Sequence, residues 1–364
     1  MRQPEDASGH ATGGAPGGSP GQALHIAHVL LTDRFAGSER YAIDLANLQA
    51  PHHRVTMILT RSAGESRPDA LAHRLDPRVD VQFVDGWAPL RMLAVRRRLR
   101  ALRPDVAHGH LSWANRALNG WRGEATMRVS TLHIRYKGPQ QSKLDGVIAI
   151  APWQLEDLPA SLPHVQIDNW SEPRPPRDDA RAQLRRSLGM ADDEVLFGAL
   201  GRVEESKGLD VLIEAWQRAR PARARLVIVG HGRDWERLRR MAPPDIVMPG
   251  FAERPQDWMS AFDVFVSAAR SEPFGLVFLE AMYAGLPILA SDSEGASHLS
   301  AVIDTPLLPR GDVGALAQAL DRLACTRPPR RGYELSRFDA GHQAARIEAF
   351  YRELLAGARL KKPR

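Results

Sequence analysis

The sequence predicts an α/β protein of two doubly wound parallel-sheet domains, and three observations predict it. Residues 23–168 and 179–335 each alternate short apolar runs with amphipathic helical patterns, the order that a parallel sheet covered on both faces requires. Residues 169–178, NWSEPRPPRD, break the alternation with three prolines and form the expected linker. The chain has 364 residues, long for one core and comfortable for two.

Composition narrows the class. Hydrophobic residues make up 43% and charged residues 25%, the balance of a soluble globular protein. The single cysteine, Cys325, excludes an internal disulfide and fits a reducing compartment. No apolar run approaches the roughly 20 residues that span a bilayer, and the N-terminus lacks the apolar core of a signal peptide. A cytoplasmic protein is expected, peripheral on a membrane at most. Residues 1–22, rich in Gly, Pro, Ser and Ala, are expected to be a disordered tail, and 358–364 a basic one.

In the first domain, residues 24–31 read as a strand. The helix after it spans 38–49, with Ser38 as N-cap and Tyr41, Leu45 and Leu48 on one face. Further strands are read at 54–60, 79–84, 105–108, 128–133 and 146–150, with helices at 90–102 and 113–121. Ligands of such sheets lie at the carboxyl ends of the strands. Three segments place polar residues there. In the first, residues 33–40, Gly37 and Ser38 precede a helix, where a glycine lets a substrate approach the backbone; a plain helix start is the alternative. The second is His108-Gly-His110, which suits a metal or a core histidine bonded to backbone. No Cys or carboxylate cluster accompanies the pair, so no metal is expected. The third, Thr131-Leu-His133, sets His133 at a strand end.

The helix near residue 90 carries Arg91, Arg96, Arg97, Arg98, Arg100 and Arg103 without an acid, behind a stripe of Met92, Val95, Leu99 and Leu102. Such a helix either lies against anionic lipid or is a solvated outer helix. Nucleic acid is not the expected partner, because the excess charge is local and no interleaved aromatic set accompanies it.

The second domain repeats the layout. Helices are read at 180–188, 209–219, 312–323 and 340–355, and strands at 195–200, 225–230, 246–251, 263–268 and 287–291. Between the first of these strands and its helix lie Gly201-Arg202 and Lys207-Gly208. Arg offers a bidentate fork to phosphate oxygens and Lys a mobile point charge. The Gly spacing is not that of a Walker loop. The chain is organised around residues 270–285, which run from a strand end through Ser-Glu272-Pro-Phe274-Gly275 into a helix starting at Leu276. A strand–turn–helix of this kind aims free backbone N–H groups and the positive helix end at the space above the sheet edge, which suits a phosphate. Glu272 and Glu280 both face that space.

The string EPFGLVFLEAMYAGLPILAS, with Glu-x7-Glu around Pro-Phe-Gly, resembles the donor-sugar motif of retaining GT-B glycosyltransferases, above all glycosyltransferase family 4. The Gly-Arg…Lys-Gly loop resembles that family's diphosphate grip. The Pro249-Gly-Phe251 turn resembles its nucleobase loop, and residues 36–39 its Gly-Gly-x-Glu loop with Ala36 for the first glycine. Glu294 and His298 depart from the family's Gly-Gly-x-x-Glu. The resemblance covers residues 23 to about 357, and is more specific in the second half.

It implies two Rossmann-like domains facing a cleft, the first for the acceptor and the second for the nucleotide sugar. It also implies a final helix, 336–357, crossing back to the first domain. The implied catalytic residues are His133, Arg202, Lys207 and Glu272. The implied donor-binding residues are Arg202, Lys207, Phe251, Glu272, Phe274, Gly275, Leu276 and Glu280. Gly37, Ser38, His110 and His133 would meet the acceptor. The implied activity is metal-independent, retaining transfer from a nucleotide diphosphate sugar to a glycan or lipid-linked acceptor in bacterial cell-surface polysaccharide or lipopolysaccharide synthesis. No Asp-x-Asp metal motif is present. A silent sugar-nucleotide binding subunit and a GT-B epimerase or hydrolase are the alternatives.

Overall fold

The computed structural model describes residues 22–360 apart from 34, 68, 69 and 124. Of the two terminal tails expected from composition, residues 1–21 and 361–364 lie outside the described residues, while 358–360, expected in the basic tail, continue the last helix.

The first domain contains strands β1 (His25–Leu30), β2 (Arg54–Thr60), β3 (Asp80–Val84), β4 (Val106–His110), β5 (Met127–Leu132), β6 (Gly146–Ala149) and β7 (His164–Gln166). They form one sheet in the order β3-β2-β1-β4-β5-β6-β7, with every pair parallel. Helices α1 (Gly37–Gln49), α2 (Ala88–Leu102), α3 (Leu111–Asn119) and the short α4 (Gly138–Gln141) connect them. The strand order reverses between β1 and β4. At such a switch point the loops leave in opposite directions and open a crevice.

The second domain begins with α5 (Ala180–Ser187). Strands β8 (Val195–Leu200), β9 (Ala224–Val229), β10 (Ile246–Gly250), β11 (Val264–Ser267) and β12 (Ile288–Ala290) form a parallel sheet in the order β10-β9-β8-β11-β12. Its helices are α6 (Leu209–Ala219), α7 (Trp235–Met241), α8 (Pro255–Ala261), α9 (Leu276–Tyr283), α10 (Glu294–Ile303) and α11 (Val313–Thr326). Here the switch point lies between β8 and β11.

The last helix, α12 (Ala340–Leu360), returns to the first sheet. Gly146 of β6 leaves room for it: a Cβ there would sit 2.6 Å from Leu354 and 2.9 Å from Phe350. Ile347, Phe350 and Tyr351 are buried by this packing. One apolar cluster runs through both domains, joining Tyr41, Val106 and Trp170 to Leu196, Phe274 and Phe338. The proline-rich linker is anchored at both ends. Trp170 and Ser171 are buried, and Arg177 pairs with Asp257 of α8 at 2.8 Å.

The structure corrects several local readings. Ser38 is not the N-cap of α1. Ala36 holds the extended cap position, with φ −143° and ψ −171°, and Ser38 is already helical. Helices α8 and α10 and strand β7 were not read from the sequence. The first two open beside a Pro and a Gly that argue for a turn, and β7 is three residues long. The Met92, Val95, Leu99 and Leu102 stripe of α2 packs against the sheet, so it is not the face that could meet a lipid surface.

Candidate active site

The second domain builds a cationic loop at its switch point. Strand β8 runs into Gly201 and Arg202, then a single 3-10 turn, Glu205–Lys207, and Gly208 before α6. Gly208 has φ +59°, and a Cβ there would meet the Ala268 carbonyl oxygen at 2.0 Å. Only glycine lets this loop press against the end of β11. Two amides after β11, those of Arg270 and Ser271, donate to the Ser206 carbonyl at 2.8 and 3.1 Å, tying the two loops together. The Arg270 guanidinium clasps Asp210 of α6 with bonds of 2.6 and 2.9 Å.

Arg202, Lys207 and Glu272 line one pocket above the ends of β8, β9 and β11. The Arg202 side chain is 66% exposed, with Glu204 at 3.3 Å. Lys207 Nζ donates to Glu272 Oε2. The backbone of Glu272 is fixed from two sides. Its amide donates to Glu294 Oε2 at 3.2 Å, and its carbonyl accepts from the Gly295 amide at 2.7 Å. Glu294, a departure from the family pattern, therefore props the turn that carries Glu272. Burial pushes the Glu294 carboxyl up, but the backbone amides of Glu294 and Glu272 and the Arg310 guanidinium hold it below the usual carboxylate range.

Gly275, at φ +85°, ends the turn, and α9 begins at Leu276 without a side-chain cap. Its first-turn N–H groups thus point out of the helix beside the cationic loop. Glu280 lies about one turn on, and its Oε1 is 2.5 Å from NH1 of Arg40 in α1. Arg40 also donates to Ser171 Oγ at 3.1 Å and lies 3.4 Å from Asp44. Other contacts cross between the halves. Trp153 Nε1–H donates to the Pro273 carbonyl at 2.8 Å, and His298 Nε2 bonds Asp168 Oδ1 at 2.6 Å. Burial pushes the Asp168 carboxyl up, but the His298 bond and charge outweigh it and hold the group down. His298, the second departure, thus anchors the linker end to α10.

On the first domain, Gly37 opens α1 against the start of α9: a Cβ on it would lie 3.8 Å from Leu276 Cδ1. Ser38 follows, half-buried. Glu39 is buried, and burial raises its carboxyl above the usual range. His133 stands at the end of β5 and lines a pocket with Ser112, Asn115, Arg135 and Gln141. Behind it lies a block of rings. His133 Nε2 is 3.5 Å from His110 Nδ1, His110 Nε2 is 3.0 Å from His28 Nδ1, and His28 Nε2 is 2.8 Å from Gln49 Oε1. His108, beside His28 in the β1–β4 register, bonds Tyr351 OH at 2.6 Å and Thr131 Oγ1 at 2.8 Å. Burial lowers every one of these imidazoles: His133 to about 3, His28 to about 4, and His108 and His110 well below the usual range.

Two sequence-based assignments change. His110 is fully buried between His28 and His133 and does not reach the cleft. As i and i+2 on one strand, His108 and His110 share a face, and that face is roofed. The Phe274 side chain is buried against Phe338 and His298, so it supports the turn from within the core. Phe251 is 71% exposed just after β10, where the Gly250 carbonyl accepts from the Gly230 amide at 2.8 Å. Arg40, Trp153 and Asp168 were missed. Their partners lie 120 or more positions away, so only the fold pairs them. His28 was also missed. One ring nitrogen from each of His28, His108 and His110 lies within 4.8 Å of the other two, the compactness a metal site needs. Yet both nitrogens of His28 and of His108 already have hydrogen-bond partners. This favours a hydrogen-bonded core.

Comparison with known proteins agrees with this architecture. A Glycosyltransferase Family 4 model matches residues 35–160, and a group 1 glycosyl transferase model matches residues 194–325. The chain is 31% identical over 293 residues to a GDP-mannose-dependent alpha-(1-6)-phosphatidylinositol monomannoside mannosyltransferase of Mycolicibacterium smegmatis, a match covering 72% of each chain. It is 35% identical over 148 residues to a D-inositol 3-phosphate glycosyltransferase of Xylanimonas cellulosilytica. A lipopolysaccharide core biosynthesis mannosyltransferase of Rhizobium meliloti is 30% identical over 138 residues. The chain spans only 35% and 39% of those two relatives. Among solved structures, HepE of Anabaena in complex with UDP-glucose has a TM-score of 0.67 at 18% identity, over 92% of this chain and 99% of that one. With both sheets matched by family models, and one relative matched over most of its length, the chain belongs to the family 4 glycosyltransferases and has the GT-B fold.

Proposed function

We propose that this glycosyltransferase moves a sugar, with retention of anomeric configuration, from a nucleotide diphosphate sugar to a glycan or lipid-linked acceptor of the bacterial cell surface. The observation that carries the reading is the convergence of Arg202, Lys207 and Glu272 on one pocket at the β8/β11 switch point, beside the open N-terminus of α9.

When the bond between C1 of the sugar and the diphosphate oxygen breaks, negative charge grows on the diphosphate. Arg202, Lys207 and the amides at Gly275 and Leu276 are donors set out for that charge before the reaction begins. Lys207 exchanges Glu272 for a phosphate oxygen, which releases the Glu272 carboxylate to the sugar hydroxyls. Glu280 keeps Oε1 on Arg40 and offers its second oxygen to the ribose. The acceptor oxygen bonds to C1 on the face the diphosphate leaves, and its proton passes to a leaving phosphate oxygen. His133 orients the sugar or acceptor. The cationic charge comes from side chains, so no metal is assigned a role.

An acceptor at a membrane surface is supported by α2. Its outer face exposes Leu90 and Leu93 at 52% and 50%, with Trp87 just before it at 67%, alongside exposed Arg97, Arg98 and Arg100. Apolar anchors among arginines suit an anionic bilayer. Among the described residues, no helix is long and apolar enough to cross a membrane. We place the enzyme on the cytoplasmic face.

The test is thermal unfolding with UDP-, GDP-, ADP- and dTDP-sugars in EDTA, on wild type and Arg202→Ala. Stabilisation by one nucleotide class, lost in the variant, supports the donor site. Absence of a shift with every donor refutes it.

A further inference from the structure

The chain Gln49–His28–His110–His133 crosses the first domain from the end of α1 to the cleft. Each link is a side-chain contact, at 2.8, 3.0 and 3.5 Å in that order. Gln49, His28 and His110 are at most 3% exposed and His133 is 7% exposed, so water does not compete for the inner links. Burial keeps all three rings neutral near pH 7. A neutral imidazole carries one N–H and one lone pair, so a bond at one nitrogen decides the role of the other.

The direction of the chain follows from its far end. Gln49 meets His28 through its carbonyl oxygen, which only accepts. His28 therefore carries its proton on Nε2 and presents a lone pair at Nδ1. His110 must donate to that lone pair from Nε2, leaving its own Nδ1 as acceptor. His133 then donates from Nε2 to His110 and is left with a lone pair at Nδ1. Each ring repeats the state of the one before it.

We propose that Gln49, acting through His28 and His110, is a positioning residue that locks His133 in the Nε2–H tautomer, so that Nδ1 accepts a hydrogen bond from a substrate hydroxyl in the cleft. This rests on the proposed role of His133 at the sugar or acceptor. A sugar presents hydroxyl donors on every side, and a fixed acceptor selects one orientation. Were the tautomer free, the ring would also present an N–H there and meet the hydroxyl's proton with its own. His108 does not belong to the chain: it is satisfied by Thr131 and Tyr351.

The test is long-range proton–nitrogen NMR on the full chain labelled with nitrogen-15 histidine, in wild type, Gln49→Met and His28→Phe. Methionine keeps the length of Gln49 without its acceptor, and phenylalanine keeps the His28 ring shape without nitrogens. The wild type should show His133 protonated on Nε2, and each variant should shift its nitrogens toward a tautomer mixture. Transfer kcat should fall roughly threefold to tenfold, as for one weakened neutral hydrogen bond, with stabilisation by the nucleoside diphosphate alone unchanged. His133 protonated on Nδ1 in the wild type, which the opposite Gln49 amide orientation would produce, overturns the proposal. So do unchanged His133 nitrogens in whichever variants fold. The NMR readout needs no turnover, so it stands or falls apart from the transferase reading.

Discussion

Arg40 of α1 holds Glu280 of α9 across the domain boundary, NH1 to Oε1 at 2.5 Å, between residues 240 positions apart. The side chains are 10% and 23% exposed, so the pair is largely out of water. The acid that the family resemblance gives to the donor is therefore also the bolt between the two halves. Arg40→Ala should lower stability by about 1–3 kcal/mol, because it leaves a half-buried carboxylate unpaired. It should also raise the radius of gyration in small-angle scattering. Unchanged melting and scattering together would show that the contact does not hold the cleft.

Lys207 is bound to Glu272, so one substitution affects both. Lys207→Ala should reduce kcat by about a hundredfold to a thousandfold, as for loss of one donor to transition-state charge. Steady-state kinetics on the preferred donor would read this. A change confined to KM would instead mean that Lys207 binds ground and transition states alike.

Gly208 adopts φ +59° with no space for a Cβ beside the Ala268 carbonyl. Gly208→Ala should cost roughly 1–3 kcal/mol of stability through backbone strain, and more if the loop cannot yield. The displaced loop carries Lys207, so nucleotide stabilisation should fall with it. Paired melting curves with and without nucleoside diphosphate would separate the two effects.

The histidine block makes a pH prediction. The folded pKa of His28 is about 4 and that of His133 about 3, against 6.5 without burial. Above pH 6.5 both states are neutral and the rings contribute nothing to pH dependence. Below it the unfolded chain takes up protons that the folded chain refuses, so stability falls as pH drops from about 6.5 toward 4. Each ring adds up to about 1.4 kcal/mol per pH unit to that slope. Urea unfolding at several pH values should show it, and His28→Phe should flatten it. A wild-type stability that stayed level from pH 7 to 5 would mean that the rings are not shut away from water.

For the outer face of α2, flotation with anionic liposomes at low salt should carry the protein upward, and replacing Arg97, Arg98 and Arg100 by Glu should leave it at the bottom. Neutral vesicles serve as the control. Equal flotation of the two proteins would reassign the face to solvent.

How much was legible depended on distance along the chain. The phosphate loop and the turn before α9 are local. Glycine, cation and helix start fall within eight residues of Gly201, and Glu272 to Leu276 lie side by side. Their geometry follows from backbone preferences that neighbours alone set. The assignments of His110 and Phe274 depended instead on which face of an element is covered. His110 is covered by His28 and Tyr41 of α1, and Phe274 by the 3-10 turn at Phe338.

By itself, then, the sequence determined two parallel-sheet units, their order, and a cationic loop facing a helix N-terminus, because periodicity and glycine placement act over a few residues. Only the tertiary structure decided that Arg40 bolts Glu280, that Glu294 props Glu272, and that Gln49 reaches His133 through two rings. Those contacts join residues from 21 to 240 positions apart. No local preference encodes them. They exist once the sheets have stacked their helices and the two domains have met.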